Sequence, residues 1–487
     1  MSEHKRKLSR REFLQAAGIT AVGSVLAACA PAATSTPAAT SAPAATTAPG
    51  ATTAPAATTG AQLSGSIEVG TFYESGPWFD LHKSVGDSII KDYPGVTIKY
   101  TNANTSTDAA RALRWQAGDP LDIDFGRFNS QAPPTYQWVD NKWLYDLTPH
   151  MSDVLPTGEK WGDTFLPLIN SMDYDNRDGS PTKGKRFGVP FELVLMLVQY
   201  NTALFDQAGV QPAATWPDFL KLCETLKTKG IAPICVSGPT SFYTGHWWDR
   251  LIQRTVGTAG VRNVIYGNGK LADDPGFLTA AQELQKLPDN KYFMDGFEAA
   301  DFTAAQALFF QGKAAMIHMG SWLTSEMAAS IPTGFKLAAV DFPTYPGGKG
   351  DQNAMFGTSQ AMSIPNPDKS TSHKVNVDLA VEFLKRRTSK AVISTAASSL
   401  SIISPVKGVA APPGLPGTDA LLAKAATAEF VIYYYGIHWD AALTAAWYPF
   451  TQALFLGKIK ADQMIEQMDA ALVQYRTQKA AGVTPTP

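Results

Sequence analysis

One stretch of the chain, Gly184–Phe219, constrains the fold strongly, because a turn, an apolar run, a short helix and a capped helix start follow one another without a gap. Pro190 fixes its own φ and favours β geometry at Val189, which predicts an extended backbone just before the apolar run. The run itself, Leu193–Val198, contains no polar residue, and a strand of that composition is buried on both faces. The stretch therefore predicts a buried strand that crosses between two lobes and is followed by helices.

Three segments in this stretch, GKRFGVPF, YNTALFDQAGV and TWPDF, occur in an order that resembles the extracellular sugar-binding proteins of ATP-driven importers. That family includes maltose-binding protein. A second mark is the run from Lys313 to Trp322, which resembles the family's G-K-A-A-M segment ending in Gly-x-Trp. The resemblance implies an α/β, two-lobed periplasmic-binding-protein fold of type II, with discontinuous lobes joined by hinge crossings.

The domain organisation follows from the predicted elements and this resemblance. Near the start, a strand over 66–71, an amphipathic helix with apolar residues from Leu81 to Tyr93 and a strand over 96–100 form a β-α-β unit, which predicts a largely parallel sheet. Return crossings are expected at 353–365 and 402–406. We assign residues 62–187 and 358–405 to the first lobe, and residues 188–357 and 406–480 to the second.

The N-terminal segment, residues 1–29, has the pattern of an export signal with a basic start and a short apolar run. The adjacent Arg10 and Arg11 resemble a twin-arginine signal, and export by the general secretory route is the alternative. Residues 26–29 resemble a lipobox, which implies lipidation of Cys29 and anchoring to the outer face of the cell membrane. Residues 30–61 are rich in Ala, Thr and Pro, a composition typical of a disordered tether.

Composition excludes one class of function and favours another. A formal net charge of −2 with 17% charged residues gives no basic surface for nucleic acid, so we expect no nucleic-acid partner. The 11 Trp and 16 Tyr suit the apolar faces of sugar rings, although many of them will be core residues. Beyond the leader, Cys223 and Cys235 form either one disulfide or two buried free thiols, and their spacing does not distinguish these alternatives.

The resemblance carries ligand-contacting roles to named residues. In the first lobe they are Tyr73, Glu74, Trp78, Arg127 and Asn129, in loops that follow predicted strands. The stacking tryptophan of the family corresponds to Trp322. The remaining candidates are the following: Glu192, one of Trp247 and Trp248, Asn353, and Trp439 with Trp447 as the alternative. Adjacent tryptophans of a helix point to different sides, so one of Trp247 and Trp248 is expected to face the ligand and the other to pack in the core.

Two functions from different classes fit these residues. The first is a non-catalytic receptor that closes on a carbohydrate, expected to be an oligosaccharide, and delivers it to the importer's permease subunits; we expect a monomer without cofactor or metal. The second is a secreted glycoside-processing enzyme, which requires paired carboxylates at one site. Only Glu74 and one of Asp122 or Asp124 suggest themselves for that pair, which favours the receptor. A binding protein for a non-sugar solute is a further alternative.

Overall fold

The computed structural model describes residues 62–71, 73–102, 113–126, 133–169, 174–175, 179–427, 431–432 and 441–481. Cys29, the tether, Arg127, Asn129 and Trp439 lie outside these residues, so the predictions made for them stay predictions. The described residues belong to one compact unit, 61–487.

Strands and helices alternate along most of this unit. The strands are β1 (Gly65–Thr71), β2 (Val96–Asn102), β3 (Asp124–Gly126), β4 (Val189–Asn201), β5 (Ile234–Cys235), β6 (Met316–Gly320), β7 (Leu337–Val340), β8 (Met355–Ser363) and β9 (Val431–Ile432). The α-helices are α1 (Pro77–Asp92), α2 (Pro133–Asp140), α3 (Thr202–Ala208), α4 (Trp216–Thr228), α5 (Ser241–Thr255), α6 (Gly257–Tyr266), α7 (Pro275–Asp289), α8 (Phe302–Phe310), α9 (Leu323–Glu326), α10 (Val377–Arg387), α11 (Lys390–Leu400), α12 (Thr418–Thr427), α13 (Ala441–Phe455) and α14 (Ala461–Ala480).

Strand β4 is shared by two hydrophobic cores. Its first half pairs with β8, and its second half pairs with β6 and β7. Side chains alternate along a strand, and here Leu195 and Leu197 belong to one core while Met196 and Val198 belong to the other. The prediction that the apolar run is buried on both faces is confirmed, since all of Leu193–Val198 is buried.

The sheet of the first lobe is mixed, which corrects the prediction of a largely parallel sheet. β1 runs parallel to β2, and Val69 forms a parallel bridge with Ile123 beside β3. β8, however, runs antiparallel to both β3 and β4. β8 belongs to the segment that the sequence predicted as a return crossing. Because this strand joins the sheet in the opposite direction, the sheet contains both parallel and antiparallel pairs.

The first core reaches further along the chain than the predicted lobe boundary. Val406, Val409, Leu415 and Leu421 pack in the same core as β1 and α1, although we had assigned residues from 406 onward to the second lobe. The predicted crossing at 402–406 forms isolated bridges instead of a strand, with Ile403 beside Leu193 among them. We therefore propose that the lobes exchange after Leu421.

Local signals placed the helices well where capping residues mark them. Thr215 accepts a hydrogen bond from the Asp218 backbone N–H, and Pro217 occupies the first turn of α4, as predicted. Asn201 caps α3 in the same way, through its side-chain oxygen. Cys223 and Cys235 are both buried free thiols, which decides between the two alternatives left open by their spacing. Within the residues described, no helix combines the length and apolarity that crossing a membrane requires.

Candidate functional site

A cavity of about 590 Å³ is lined by residues that pack against both cores, together with Glu192 and Val194 from the first half of β4. A volume of this size is within the range of ligand pockets, roughly 300–1,000 Å³. Aromatic side chains form much of its wall. Its lining consists of Tyr73, Ser75, Pro77, Trp78, Glu192, Val194, Phe242, Tyr243, Phe302, Trp322, Ser325, Glu326 and Gln360.

Two polar side chains enter the cavity from paired strands. Glu192 on β4 lies opposite Gln360 on β8 in the register, so the two side chains are cross-strand neighbours. Glu192 is 8% exposed. Among the residues that the structure describes, none hydrogen-bonds to the buried Oε1 of Gln360. A buried amide oxygen without a partner is costly, so Gln360 is suited to accept a hydrogen bond from a bound molecule.

Trp322 is held at the cavity by a tightly fixed turn after β6. A Cβ at Gly320 would collide with the six-membered ring of Trp322, so only glycine allows the indole to lie over this backbone. The buried Gln199 donates from Nε2 to the carbonyls of Met319 and Gly320, at 3.2 and 3.0 Å. The Ser321 N–H donates to the Leu195 carbonyl at 2.8 Å. The glycine of the Gly-x-Trp motif is therefore needed in this chain so that the Trp322 ring can pack over the backbone.

Tyr73 and Trp78 line the cavity from the start of the first lobe. Trp78 lies in the first turn of α1, and its ring meets Phe191 edge to face with centroids 6.1 Å apart. Tyr73 is 45% exposed. Burial, and then the negative charges of Glu326 and Glu192, raise the pKa of Tyr73. The two carboxylates therefore act on the same tyrosine from two elements, Glu192 from strand β4 and Glu326 from helix α9.

Glu74 is not part of the cavity lining, although its neighbours in sequence are. Its side chain is exposed and accepts a long hydrogen bond, 3.4 Å, from Asn102 Nδ2. Asn353 is also exposed and lies outside the lining, in the turn that precedes β8. Its backbone N–H donates to Asp351 Oδ1 at 2.8 Å. The strand brings Gln360, not Asn353, to the cavity.

Trp247 and Trp248 are core residues, which corrects the expectation that one of them faces a ligand. They are 2% and 0% exposed and pack in the core of the second lobe. Trp247 contacts Phe219, His318, Phe342 and Phe455. The alternative Trp447 is buried in the same core, and its Nε1 donates to the Met468 carbonyl at 3.0 Å.

The aromatic residues that line this side of the cavity lie earlier on α5. Phe242 and Tyr243, one turn before the tryptophans, line the cavity, and Tyr243 stacks on Phe302 with centroids 4.4 Å apart. These three residues and Gln360 were missed by the sequence reasoning. The signal that could have found Phe242 and Tyr243 is their place in the first turn of the helix, nearest the preceding loop.

The charge of the lining is negative within the described residues. Glu192 and Glu326 are its charged members. Behind the wall lies Arg387, which is 0% exposed and stands 4.8 Å from the centroid of the Phe191 ring. Burial lowers the pKa of Arg387 to about 9, and the charge of Glu192 acts in the opposite direction. Over the described ranges, no group of three or more His, Cys, Asp or Glu residues could hold a metal ion.

Comparisons with known proteins agree with this architecture. Residues 86–391, more than half of the chain, match the model of a family described as bacterial extracellular solute-binding protein. A probable sugar-binding periplasmic protein of Rhizobium meliloti is 29% identical over 174 residues, which cover 34% of this chain and 40% of that protein. The sn-glycerol-3-phosphate-binding periplasmic protein UgpB of the same organism is 24% identical over 301 residues, 58% of this chain and 64% of its own length.

The chain thus spans less than two thirds of each of these relatives. Among solved structures, a chitin oligosaccharide binding protein superposes with a TM-score of 0.67 at 22% identity, covering 85% of this chain and 99% of that one. At this identity the likeness concerns the fold. It supports the predicted two-lobed periplasmic-binding-protein fold of type II.

Proposed function

The chain belongs to the bacterial extracellular solute-binding proteins, and we propose that it is the substrate-binding component of an ATP-driven importer that binds a carbohydrate between its two lobes. The observation that carries the proposal is the aromatic wall around Trp322, which lies in one cavity with two carboxylates and an amide. Aromatic faces pack against the C–H faces of sugar rings, and carboxylate and amide oxygens accept hydrogen bonds from hydroxyl groups. The names of the sugar-binding relative and of the chitin oligosaccharide binding protein point the same way.

The ligand-contacting residues that we propose combine the sequence predictions with the cavity lining. Trp322 and Trp78 would stack on sugar rings, while Glu192, Glu326 and Gln360 would accept hydrogen bonds from hydroxyls. Tyr73 would close the rim. Arg127, Asn129 and Trp439 remain predictions from the sequence alone, and Glu74 lies outside the cavity lining. The cavity volume of about 590 Å³ suits a short oligosaccharide better than a polymer.

We propose that binding closes the lobes around hinge crossings, with β4 and β8 among them. A ligand that touches both lobes favours the closed arrangement by the difference in its contacts with the closed and open forms. Trp322 and Phe302 come from the second lobe, whereas Tyr73 and Trp78 come from the first. One sugar spanning these walls would therefore contact both lobes, and the closed form would be the one recognised by the permease.

The proposed anchoring rests on the leader sequence rather than on the cavity. We propose that Cys29 carries the lipid that holds a monomeric receptor at the outer face of the cell membrane, with the Ala/Thr/Pro-rich segment as its tether. Metabolic labelling with a fatty-acid analogue tests this directly: wild type is expected to take up label and Cys29→Ser to lose it. Equal labelling of the two chains would exclude Cys29 as the anchor.

The alternative of a glycoside-processing enzyme would use Glu192 and Glu326 as its paired carboxylates. Calorimetric titration of a soluble chain beginning at Gln62 with neutral oligosaccharides, followed by chromatography of the mixture, separates the two functions. We expect saturable binding and unchanged sugar. Release of shorter products would establish an enzyme, and no heat with any sugar would contradict carbohydrate binding.

Trp322→Ala tests the residue that carries the proposal. Loss of a central aromatic contact should weaken binding by at least about tenfold, since such anchors dominate binding energy. Trp322→Phe should keep part of the affinity because it keeps an aromatic face. Tyr266→Ala is the control, since Tyr266 is 51% exposed and lies outside the cavity lining. Equal affinities for Trp322→Ala and wild type would remove Trp322 from the site.

A further inference from the structure

We propose that Gln306 is a positioning residue of the binding site. It holds one oxygen of the Glu326 carboxylate, so that the other oxygen is oriented to accept a hydrogen bond from a hydroxyl group of the bound sugar. The inference rests on the proposed function and concerns the same cavity. Glu326 lines that cavity, whereas Gln306 lies outside the lining, on α8, and is fully buried.

Gln306 reaches Glu326 from the helix that also supplies Phe302 to the cavity. Phe302 and Gln306 are one turn apart on α8, so their side chains leave the same face of the helix. Phe302 lines the cavity, and Nε2 of Gln306 donates to Oε2 of Glu326 at 3.0 Å. This hydrogen bond joins two elements of the second lobe, α8 and α9, behind the wall that the sugar would contact.

The amide of Gln306 is costly to bury in this orientation. A carboxylate accepts hydrogen bonds and does not donate them, so the amide must turn its NH₂ group towards Glu326. Oε1 of Gln306 is then buried, and no described residue hydrogen-bonds to it. A buried acceptor without a partner is destabilising, so an apolar side chain of similar length would fold at least as well here. The orientation of Glu326, rather than stability, is therefore what this glutamine supports.

Glu326 is also fixed relative to Trp322, the aromatic residue that carries the proposed function. The Glu326 backbone N–H donates to the Trp322 carbonyl at 2.9 Å, and the Ser325 hydroxyl donates to the same carbonyl at 2.9 Å. The turn holds the backbone and Gln306 holds one carboxylate oxygen, so less side-chain freedom is lost when a sugar binds. The indole would take the face of a sugar ring, and Oε1 of Glu326 would accept from a hydroxyl group.

The test combines calorimetric titration with urea unfolding of Gln306→Met. Maltotriose, cellotriose, xylotriose and raffinose are titrated into wild type, and the probe that binds most tightly is used for every variant. We expect Gln306→Met to bind this probe at least about threefold more weakly, because the acceptor on Glu326 is no longer oriented. Its free energy of unfolding should stay level or rise, because the buried Oε1 is removed. Wild-type affinity with lowered stability would show a purely structural glutamine and overturn the inference.

Gln285→Met is the matched control, since it also removes a hydrogen bond from a glutamine to a carboxylate. Nε2 of Gln285 donates to Oδ2 of Asp289 at 2.8 Å on α7, and neither residue lines the cavity. Oε1 of Gln285 accepts from the Ala461 N–H at 2.8 Å, so this variant should lose stability and keep its affinity. An equal loss of affinity in Gln285→Met and Gln306→Met would show that the effect is not specific to the site.

A double-mutant cycle assigns the effect of Gln306 to Glu326. Glu326 is exposed, so Glu326→Ala is expected to fold, and it should weaken binding at least as much as Gln306→Met does. In the Glu326→Ala background, Gln306→Met should cause no further loss of affinity. Additive losses, or wild-type affinity in Glu326→Ala, would overturn the inference while leaving a binding protein in place. Absence of binding by all four probes would instead contradict the proposed function, and this inference with it.

Discussion

Two sites, one in each lobe, bury guanidinium groups in opposite ways. In the second lobe, Arg250 and Arg254 share the carboxylate of Asp341, with N–O distances of 2.7 and 3.3 Å. In the first lobe, Arg387 is equally buried, yet no described residue hydrogen-bonds to its three side-chain nitrogens. Its neighbour is the face of the Phe191 ring. The first arrangement compensates its charges locally, whereas the second leaves a positive charge behind the wall of the cleft.

The difference indicates two roles. Asp341 follows β7, and it also accepts from Lys424 on α12 at 2.7 Å, so the network ties three separate parts of the chain together. Arg387 ties nothing through hydrogen bonds to the described residues. The cleft carboxylate Glu192 is the anion that acts on it. We interpret the second-lobe network as a structural device and Arg387 as a charge that serves the cleft.

The largest expected effect comes from breaking the compensated network. Arg250→Met should lower the free energy of unfolding by about 3–5 kcal/mol, because removing one partner leaves the other buried charges uncompensated. Arg387→Met should change it by no more than about 1 kcal/mol in either direction, since no ion pair is broken. Urea unfolding of both variants measures the contrast.

Lys460→Met is the surface control for this pair of variants. Its partner Asp289 is 46% exposed in the side chain, and an exposed pair contributes about 0–1 kcal/mol. If Arg387→Met destabilises the protein as much as Arg250→Met, the two environments are equivalent and the comparison fails.

Acidification should weaken the second-lobe network selectively. Burial acts to raise the pKa of Asp341, but Arg250, Arg254 and Lys424 outweigh it and lower that pKa to about 2. The unfolded pKa of an Asp is about 3.9, so the stability from this carboxylate, about 2–3 kcal/mol, is present above pH 4 and lost as pH falls towards 2. Urea unfolding of wild type and Asp341→Asn should therefore converge over this interval. A constant difference from pH 5 to pH 2 would show that Asp341 does not titrate in the network.

A smaller effect is expected on binding through Arg387. Removing the buried guanidinium changes the field at Glu192, so Arg387→Met should alter the affinity for a neutral oligosaccharide by about three- to tenfold, or roughly 1 kcal/mol. In the Glu192→Gln background the same substitution should have little effect. Calorimetry on the four proteins of this double-mutant cycle gives the coupling. Additive effects would separate Arg387 from the cleft.

The smallest expected change is a local titration. Burial, and then the charge of Arg387, lower the pKa of His82 to about 3. In Arg387→Met that pKa should rise but stay below its ordinary value of about 6.5, because burial remains. NMR titration of the His82 ring in the variant and in wild type, under the same conditions, measures the shift. An unchanged His82 pKa would place Arg387 too far away to act on it.

Much of the fold could be predicted from periodicity and caps. The apolar run of β4 and the capped helix start at Thr215 agree with the structure, because each depends on neighbours in sequence. The direction of β8 could not be read in this way, because it depends on how the chain returns from the second lobe. The extension of the first core to Leu421 is likewise a matter of long-range packing.

The candidate site was predicted less completely than the fold. Trp322, Tyr73, Trp78 and Glu192 line the cavity, whereas Trp247 and Trp248 are core. A tryptophan has the same residue type in either environment, and helix geometry alone does not state which side of a helix meets the core. Gln360 escaped notice because a single glutamine within a strand carries no motif; its register opposite Glu192 brings it to the cavity.

The most direct test of the account is a crystal structure of the soluble chain with whichever neutral oligosaccharide binds it in calorimetry. We expect a sugar ring against the face of Trp322, with hydroxyls within hydrogen-bond distance of Glu192, Glu326 or Gln360 and with contacts to both lobes. A ligand bound outside this cavity, or bound to one lobe without touching Trp322, would contradict the proposal that this aromatic cleft is the carbohydrate-binding site.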